Sequence, residues 1–457
     1  MEMTFADFIR EHDGDDPVRL LLSRDRFRDI DLDLAVSTLE VRRRLRAKVP
    51  EWYAVPSLVY PFRLSGEQCS SSETAKYKAM VCRSSVVLEP SLRDHSQSRL
   101  WAPPSYVAEG GHRFQDHTAP ANKCLRIADL TGGMGVDSWA FAQVSQEVLY
   151  NEVQPELARA TELNFRELGL NNVRFRNERL EPGKVAEVLD GFQPDVIFLD
   201  PARRAEDGRK VFLIEDCQPD VAGLLPELFA VSRFILLKLS PMADITMACK
   251  RLSHVREVHA VAAGGECKEL LFLLDRDWSG PYTLTAYDSG CTLSWTLEEE
   301  SSSVSLFPST IPTSPSPVIP SEAPPVIPSG AKESFSFLFE PGKALAKAGA
   351  FRLLCARYGL TKLGVHTHLY VAETIPEELK PFGKYFEVLE VLPLNNRTMK
   401  EVGKRYPLAE VTARNVPMTS ETLRKKLGCR SGGDVHLFGV RIDAASQAGN
   451  YLIITKR

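Results

Sequence analysis

The chain has 457 residues, 44% of them hydrophobic and 25% charged, with a net charge of −4 and a pI near 6.2. That composition fits about two to four soluble domains and excludes a polycation. The acidic opening MEMTFADFIREHDGDD lacks the apolar run of a secretory signal, and no later stretch approaches the roughly 20 apolar residues of a spanning helix. Nine cysteines without a CxxC pair read as reduced thiols, so the expected setting is the cytoplasm, with no membrane partner.

In chain order, residues 1–115 predict a mostly helical domain. FADFIREH, DLDLAVSTLEVRRRLRAKV and SSETAKYKAMVCRSS space their apolar residues by three and four. VRRRLRAK reads as a charged helix face, with phosphate contact as the alternative. In SGEQCSSSETAKYKA, Ser70 and Glu73 have capping-box spacing. Thr74, Tyr77 and Lys78 then share a face that could line a substrate cleft. From 120 to 278, the apolar runs CLRIADL, EVLYNEV, VRFRN, DVIFLD, FILLKLS, REVHAVAA and ELLFLLD alternate with helical stretches. This alternation predicts an α/β fold with a parallel sheet covered on both faces. The last two runs, separated by GGECK, predict a terminal antiparallel hairpin.

YTLTAYD and TLSWTLEE predict an antiparallel pair joined by SGC. Residues 299–333 are rich in Pro and Ser and repeat PVIPS, which reads as a flexible, partly polyproline-II linker. Order resumes at FSFLFEPGKALAKAGAFRLLCARYGL. The remainder is mixed α/β, with strands VHTHLYVA, YFEVLEVL, EVTARNV, DVHLFGVRID and YLIITK. SETLRKKLG reads as a helix with a Ser cap and a terminating Gly. His366 and His368 fall on one face of the VHTHLYVA strand, but without a third ligand no metal is expected.

RIADLTGGMGVDSWAFAQ reads as a strand, a glycine turn and the start of a helix, the form of a nucleotide-binding turn. Gly133 and Gly135 permit backbone conformations that a Cβ obstructs, and let a ligand come close. A dinucleotide site would need a third glycine where Ser138 stands, and the Gly-Lys-Ser/Thr end of a P-loop is absent. Asp129 precedes the turn, and Glu152 ends the next strand. A carboxylate at 129 would repel a pyrophosphate and attract a sulfonium or an α-amino group. Glu152 could accept both ribose hydroxyls. Asp129, Thr131, Gly133, Gly135 and Glu152 therefore favour S-adenosylmethionine as the cofactor.

These residues resemble the first motif of class I S-adenosylmethionine-dependent methyltransferases, D/E-x-G-x-G-x-G, with Thr131 at the family's first glycine. The resemblance implies a Rossmann-like seven-stranded sheet and assigns roles residue by residue. The Thr131 hydroxyl would bond the methionine carboxylate. Glu152 corresponds to the acid on the second strand, and Glu178 in RFRNERLE to the acid beside adenine, with Arg179 as the alternative register. Asp200 and Pro201 in DVIFLDPARR match the start of the D/N-P-P-Y/F/W signature of amino-group methyltransferases, where Ala202 and Arg203 replace Pro and the aromatic residue. Asp200 is then a cofactor contact and the acceptor or base at the transferring methyl. Arg203, counted with Asp200 as catalytic, and Arg204 are candidates to stack on a base or pair with phosphate. Lys238, in LLKLSPMADI, would face the same cleft with Ser240 and Pro241. A cysteine nucleophile of the uracil-C5 kind would follow Asp200 closely, and none does; Cys267 is the alternative.

In this order DLTGGMGVD, LDPARR, KLSP, FEPGKALAKAG and NVPMTSETLRKKLGCRSGGD resemble bacterial methyltransferases with a ferredoxin-like module and a C-terminal THUMP-like domain, from about residue 60 onward. The resemblance implies a methyltransferase domain over 120–278, a ferredoxin-like module over 280–298 and 334–395, and a THUMP-like domain over 396–457. THUMP domains go with RNA-modifying enzymes, so tRNA or rRNA is the expected partner. From Lys400 to Arg457, eleven Lys/Arg stand against five Asp/Glu. Arg414, Arg424 and Lys425 are the candidates there for phosphate contact. The rival readings are a small-molecule or protein methyltransferase with an architectural C-terminal domain, and a non-catalytic S-adenosylmethionine- or RNA-binding protein.

Overall fold

The computed structural model describes residues 3–87, 125–203, 217–301, 307–308, 336–443 and 448–457. The PVIPS repeat and Arg204 lie outside the described residues. The chain divides into two compact units: the first holds the described residues up to 263 together with 268–282, and the second holds 264–267 and everything from 283. Among the described residues no helix is long and apolar enough to cross a membrane.

The first unit opens with helices: α1 (Phe5–Glu11), α2 (Pro17–Leu22), α3 (Leu32–Lys48), α4 (Pro50–Tyr53), α5 (Arg63–Gln68) and α6 (Ser72–Val87). The start of α3 is fixed by Asp31, whose carboxylate accepts the Leu34 N–H. Leu32, Ala35, Val36 and Leu39 pack on Phe8, Ile9 and Leu20. The basic run on α3 is used locally. Arg42 is buried and donates to the carbonyls of Val55 and Tyr53, while Lys48 donates to the carbonyls of Gly66, Glu67 and Cys69. The cap of α6 is Ser71, which accepts the Thr74 N–H, and not Ser70. Ser70 faces inward to a carboxylate instead.

The seven strands that follow are β1 (Arg126–Asp129), β2 (Glu147–Asn151), β3 (Val173–Arg176), β4 (Val196–Leu199), β7 (Phe234–Leu239), β8 (Val255–Ala263) and β9 (Glu266–Asp275). Between β4 and β7 lies a short separate ribbon, β5 (Ala202–Arg203) with β6 (Cys217–Gln218). Within this unit the strand order is β3-β2-β1-β4-β7-β9-β8. Strands β3, β2, β1, β4 and β7 are mutually parallel, and β9 runs antiparallel to β7. Every residue of β4 and β8 is buried, as a doubly covered sheet requires. The hairpin between β8 and β9 turns on Gly264 and Gly265 alone, both at positive φ, so Glu266, Cys267 and Lys268 already belong to the strand. The crossover helices are α7 (Val136–Ala142), α8 (Pro155–Glu167), α9 (Val185–Leu189), α10 (Val221–Val231) and α11 (Ile245–Arg251). The helical region docks on them. Asn164 of α8 exchanges two hydrogen bonds of 2.8 Å with the Val59 backbone, and Trp52 packs edge-on against Trp139 and Phe165.

In the second unit, β10 (Thr283–Asp288) and β11 (Cys291–Thr296) form an antiparallel hairpin leading into α12 (Leu297–Ser301). A second sheet contains β12 (Phe337–Pro341), β13 (Thr361–Lys362), β14 (Tyr370–Ala372), β15 (Gly383–Pro393), β16 (Glu410–Arg414), β17 (Val435–Asp443) and β18 (Ala448–Lys456), in the order β13-β14-β12-β15-β18-β17-β16. Its helices are α13 (Lys343–Ala348), α14 (Leu353–Tyr358), α15 (Asn396–Arg405) and α16 (Ser420–Leu427). Glu300 ties α12 to α14: its carboxylate accepts the N–H groups of Phe351, Arg352 and Leu353. Helix α16 is capped by Thr419 rather than Ser420, whose hydroxyl accepts the Ala413 N–H. His366 and His368 do not share a strand, because β14 starts only at Tyr370 and both lie in the loop before it. Among the described residues no group of three or more His, Cys, Asp or Glu could hold a metal.

Candidate active site

Parallel strands end their ladders at the C-terminal edge. Where the order passes from β2-β1 to β4, the crossovers leave on opposite sides and open a crevice. The chain after β1, β2, β3, β4 and β7 lines one cleft of about 1560 Å³ there. A pocket for a single small ligand usually measures roughly 300–1,000 Å³, so the cleft has room for a cofactor and part of a second molecule. Its walls include Thr131 to Gly135, Glu152, Glu178, Asp200, Lys238 and Ser240.

The turn after β1 is built by sterics. Gly133 and Gly135 have φ of +53° and +90°. A Cβ on Gly135 would lie 2.6 Å from Thr161 Cγ2, and one on Gly132 would lie 2.1 Å from the Tyr150 ring. Gly132 is a constraint that the motif spacing did not reveal. The turn's donors and acceptors are fixed as well. The Gly133 N–H donates to Glu152 at 2.9 Å, the Gly132 N–H to the Asn151 carbonyl at 2.7 Å, and the Tyr150 hydroxyl to the Gly133 carbonyl at 2.5 Å. Asn151 is buried and joins the loops after β1 and β3 through the carbonyls of Leu130 and Glu178.

Asp129 departs from the role expected of it. It is fully buried and is not among the residues that line the cleft. Its carboxyl takes the Ser138 hydroxyl at 2.5 Å and the Thr131 N–H at 3.2 Å. Burial raises it to about 8, with the nearby Asp137 and Asp200 adding to the shift against the Ser138 and Thr131 bonds. Burial thus favours its neutral form, and from outside the cleft lining its carboxyl ties the turn after β1 to Ser138 of α7. The carboxylates that face the cleft are Asp137, Glu152, Glu178, Glu181, Asp200 and Asp220. Unfolded, Asp129 would ionise near 3.8; folded, it holds its proton to about 8. Its contribution to stability is full below the lower value and is lost as pH rises through the upper one. Asp129→Asn keeps the shape and cannot ionise. Thermal unfolding followed from pH 7 to 9 is therefore expected to show a smaller fall in Tm for Asp129→Asn than for the natural chain.

The Thr131 hydroxyl accepts the Asp200 N–H at 2.6 Å, joining the loops after β1 and β4. Its own proton remains for a ligand. Glu152 accepts from Gly133 and Gln154 through different oxygens, each with a second lone pair to spare. Glu178 is half-buried, 3.6 Å from Arg176, and Arg179 beside it is exposed; both line the cleft. The Lys238 ammonium pairs with Asp200 Oδ2 at 2.5 Å. Burial pulls that ammonium down, but Asp200, Glu269 and Asp137 outweigh it and hold it above the ordinary lysine range.

Arg203 lies in β5, opposite Cys217 of β6. Cys217 lines the cleft, whereas Cys267 does not. The structure thus brings a cysteine beside the Asp200 loop from 17 residues downstream, where motif reading does not look. Thr74, Tyr77 and Lys78 are all buried and none lines the cleft. Tyr77 bonds His259 at 2.8 Å. Arg414, Arg424 and Lys425 lie in the second unit. Arg414 is exposed and pairs with Glu340, Arg424 is half-buried, and Lys425 is exposed and pairs with Glu421.

Two domain families match the C-terminal part: a ferredoxin-like domain over residues 337–379 and a THUMP domain-like family over residues 383–457. An uncharacterized S-adenosylmethionine-dependent methyltransferase of Mycobacterium tuberculosis (strain H37Rv) is 22% identical over 322 residues, 70% of this chain and 78% of that protein. A counterpart in strain CDC 1551 matches to the same extent. The crystal structure of a candidate methyltransferase from Porphyromonas gingivalis W83 aligns with a TM-score of 0.75 at 27% identity, covering 100% of this chain and 98% of that one. With the sheet order, the glycine turn and the Asp200 loop, these matches identify the chain as an S-adenosylmethionine-dependent methyltransferase that carries a ferredoxin-like module and a THUMP-like domain.

Proposed function

We propose that the chain methylates a base in structured RNA, tRNA or rRNA, in the cytoplasm. The observation that carries the transfer step is the convergence of Thr131, Gly133, Gly135, Glu152, Glu178 and Asp200 on one cleft larger than the cofactor needs. Thr131 and the glycine turn would hold the methionine end of S-adenosylmethionine, Glu152 the ribose and Glu178 the adenine side. Asp200 would stand at the methyl group and orient the target atom, so catalysis is mainly proximity and alignment. Lys238 and Arg203 would contact the incoming base or its phosphate.

RNA is supported by the THUMP-like match and by the eleven Lys/Arg against five Asp/Glu from Lys400 to Arg457. The cytoplasmic setting is supported by eight described cysteines, all free of disulfides. Nucleoside mass spectrometry of total tRNA and rRNA, with and without the gene, tests the substrate. A modification that disappears with the gene supports the proposal. Tritiated methyl groups from the cofactor that appear in protein and never in RNA would overturn it in favour of a protein methyltransferase. Charge reversal in the full chain tests the grip: Arg424, Lys425 and Lys426 changed to Glu are expected to lower the slope of log affinity for tRNA against log salt by about 2–3, given roughly 0.9 per phosphate contact in a duplex. An unchanged slope would remove α16 from the RNA interface.

A further inference from the structure

Behind the Asp200–Lys238 pair lies a second ion pair. Glu269, on β9, stands 3.8 Å from the Lys238 ammonium. Both of its oxygens accept from Lys78 of α6 at 2.9 Å. Lys78 is fully buried; it also donates to Ser70 at 2.8 Å and pairs with Asp137 at 3.0 Å. Ser70 in turn donates to Asp137 at 2.9 Å. The result is a row of alternating charge, Asp137, Lys78, Glu269, Lys238, Asp200. Its members come from α6, α7, β7, β9 and the loop after β4. Lys238 and Asp200 line the cleft, and Lys78 and Glu269 do not.

A buried ion pair is poor ground for stability, because apolar residues of similar volume usually serve as well. What such a row supplies is geometry, since each charge has one place to sit. We propose that Glu269 and Lys78 are positioning residues for methyl transfer: they hold the Lys238 ammonium against Oδ2 of Asp200 and so turn Oδ1 toward the target. In the transfer, the S–CH₃ electron pair stays on sulfur and the target's lone pair forms the new bond. The proton that the target sheds goes to Oδ1 and on to water. This inference rests on Asp200 as the group at the methyl, and is independent of whether the acceptor is RNA.

Lys238 is faced by Asp200, Glu269 and Asp137, with Lys78 behind Glu269 and the Cys69 thiol nearby. Removing the Glu269 charge takes away one of the three carboxylates that keep it protonated. The test compares the full chain with Glu269→Gln, Glu269→Asp and the pair Lys78→Met with Glu269→Met, which removes both charges of the Lys78–Glu269 pair and leaves Asp137 its Ser70 bond. Binding of S-adenosylmethionine, measured by calorimetry, is expected to stay within about threefold. Tritiated methyl transfer to total RNA from a deletion strain is expected to fall at least tenfold in kcat in Glu269→Gln and in the double variant, with KM within about threefold. Partial recovery is expected in Glu269→Asp. The alkaline limb of the rate profile in Glu269→Gln is expected at lower pH. A carbon-13 titration of the Lys238 side chain needs no acceptor and is expected to move the same way. Transfer by the natural chain to protein instead of RNA would overturn the RNA proposal, and the same comparison of kcat and titration then runs on that acceptor. A folded Glu269→Gln or double variant that transfers at the natural rate, or a Lys238 titration unchanged in Glu269→Gln, would overturn the inference.

Discussion

Asp200→Ala is expected to bind S-adenosylmethionine within a few-fold of the natural chain and to lose methyl transfer by about 10²–10⁴, the usual worth of one positioned acid or base. The expectation comes from how tightly the residue is set. Its backbone N–H is held by Thr131 at 2.6 Å and its carboxylate by Lys238 at 2.5 Å, at the end of a strand buried along its whole length. Neither the turn after β1 nor Glu152 uses the Asp200 side chain in any bond, so the cofactor's own contacts should survive its loss. Asp200→Asn separates two roles. If the carboxylate only accepts a hydrogen bond from the target, the amide oxygen keeps part of that function and the loss is smaller than for Ala. If it takes the proton, Asn is as poor as Ala. Single-turnover transfer of tritium, beside calorimetry on the same preparations, reads both. An Asp200→Ala protein that transfers within tenfold of the natural rate would remove Asp200 from the chemistry.

Most of the sheet could be read from the sequence, because its strands are continuous apolar runs bounded by turn residues. DVIFLD, FILLKLS and ELLFLLD correspond to β4, β7 and β9. The loops that line the cleft are legible too, since β1, β2, β3, β4 and β7 each end on a motif residue or within two residues of one. What stayed hidden depends on partners remote in sequence. Lys78 and Glu269 are 191 residues apart, and no periodicity joins them. Asp129 reads as a charge in the sequence because its residue type is visible there and its burial is not. Ser70 and Ser71 are adjacent and alike; only packing decides which caps α6 and which meets Asp137. His366 and His368 alternate as on a strand, yet β14 starts two residues after the second. In the second unit, β12 pairs with β15 from Phe337↔Glu387 to Pro341↔Gly383, so the ferredoxin-like and THUMP-like segments share one sheet. A boundary drawn from composition has no physical seam to follow there.

The glycine turn yields the second large effect, and its ranking differs from the one the motif implies. Gly135→Ala is expected to lose measurable S-adenosylmethionine binding and to lower stability by about 2–5 kcal/mol, summing left-handed strain of about 1–2 kcal/mol and overpacking of about 1–3 kcal/mol. Its φ is +90°, and a Cβ would meet Thr161 at 2.6 Å and the Phe165 ring at 2.8 Å. Gly132→Ala is expected to be comparably damaging for a different reason. No positive φ is involved there; the obstacle is the buried Tyr150 ring, 2.1 Å from the new carbon. Gly133, a motif glycine, is the tolerant one. A Cβ there finds nothing closer than the Thr131 carbonyl oxygen at 4.0 Å, so Gly133→Ala carries only the strain of φ +53°, about 1–2 kcal/mol. Combining each change with a trimmed neighbour separates the two mechanisms. Tyr150→Val should restore part of the stability lost in Gly132→Ala, because it removes the obstacle. Trimming Phe165 should restore less in Gly135→Ala, because Thr161 and the backbone strain remain. Denaturant unfolding and calorimetry on the four proteins measure this. Equal rescue at both positions would show that packing alone, without φ, makes glycine necessary at 135.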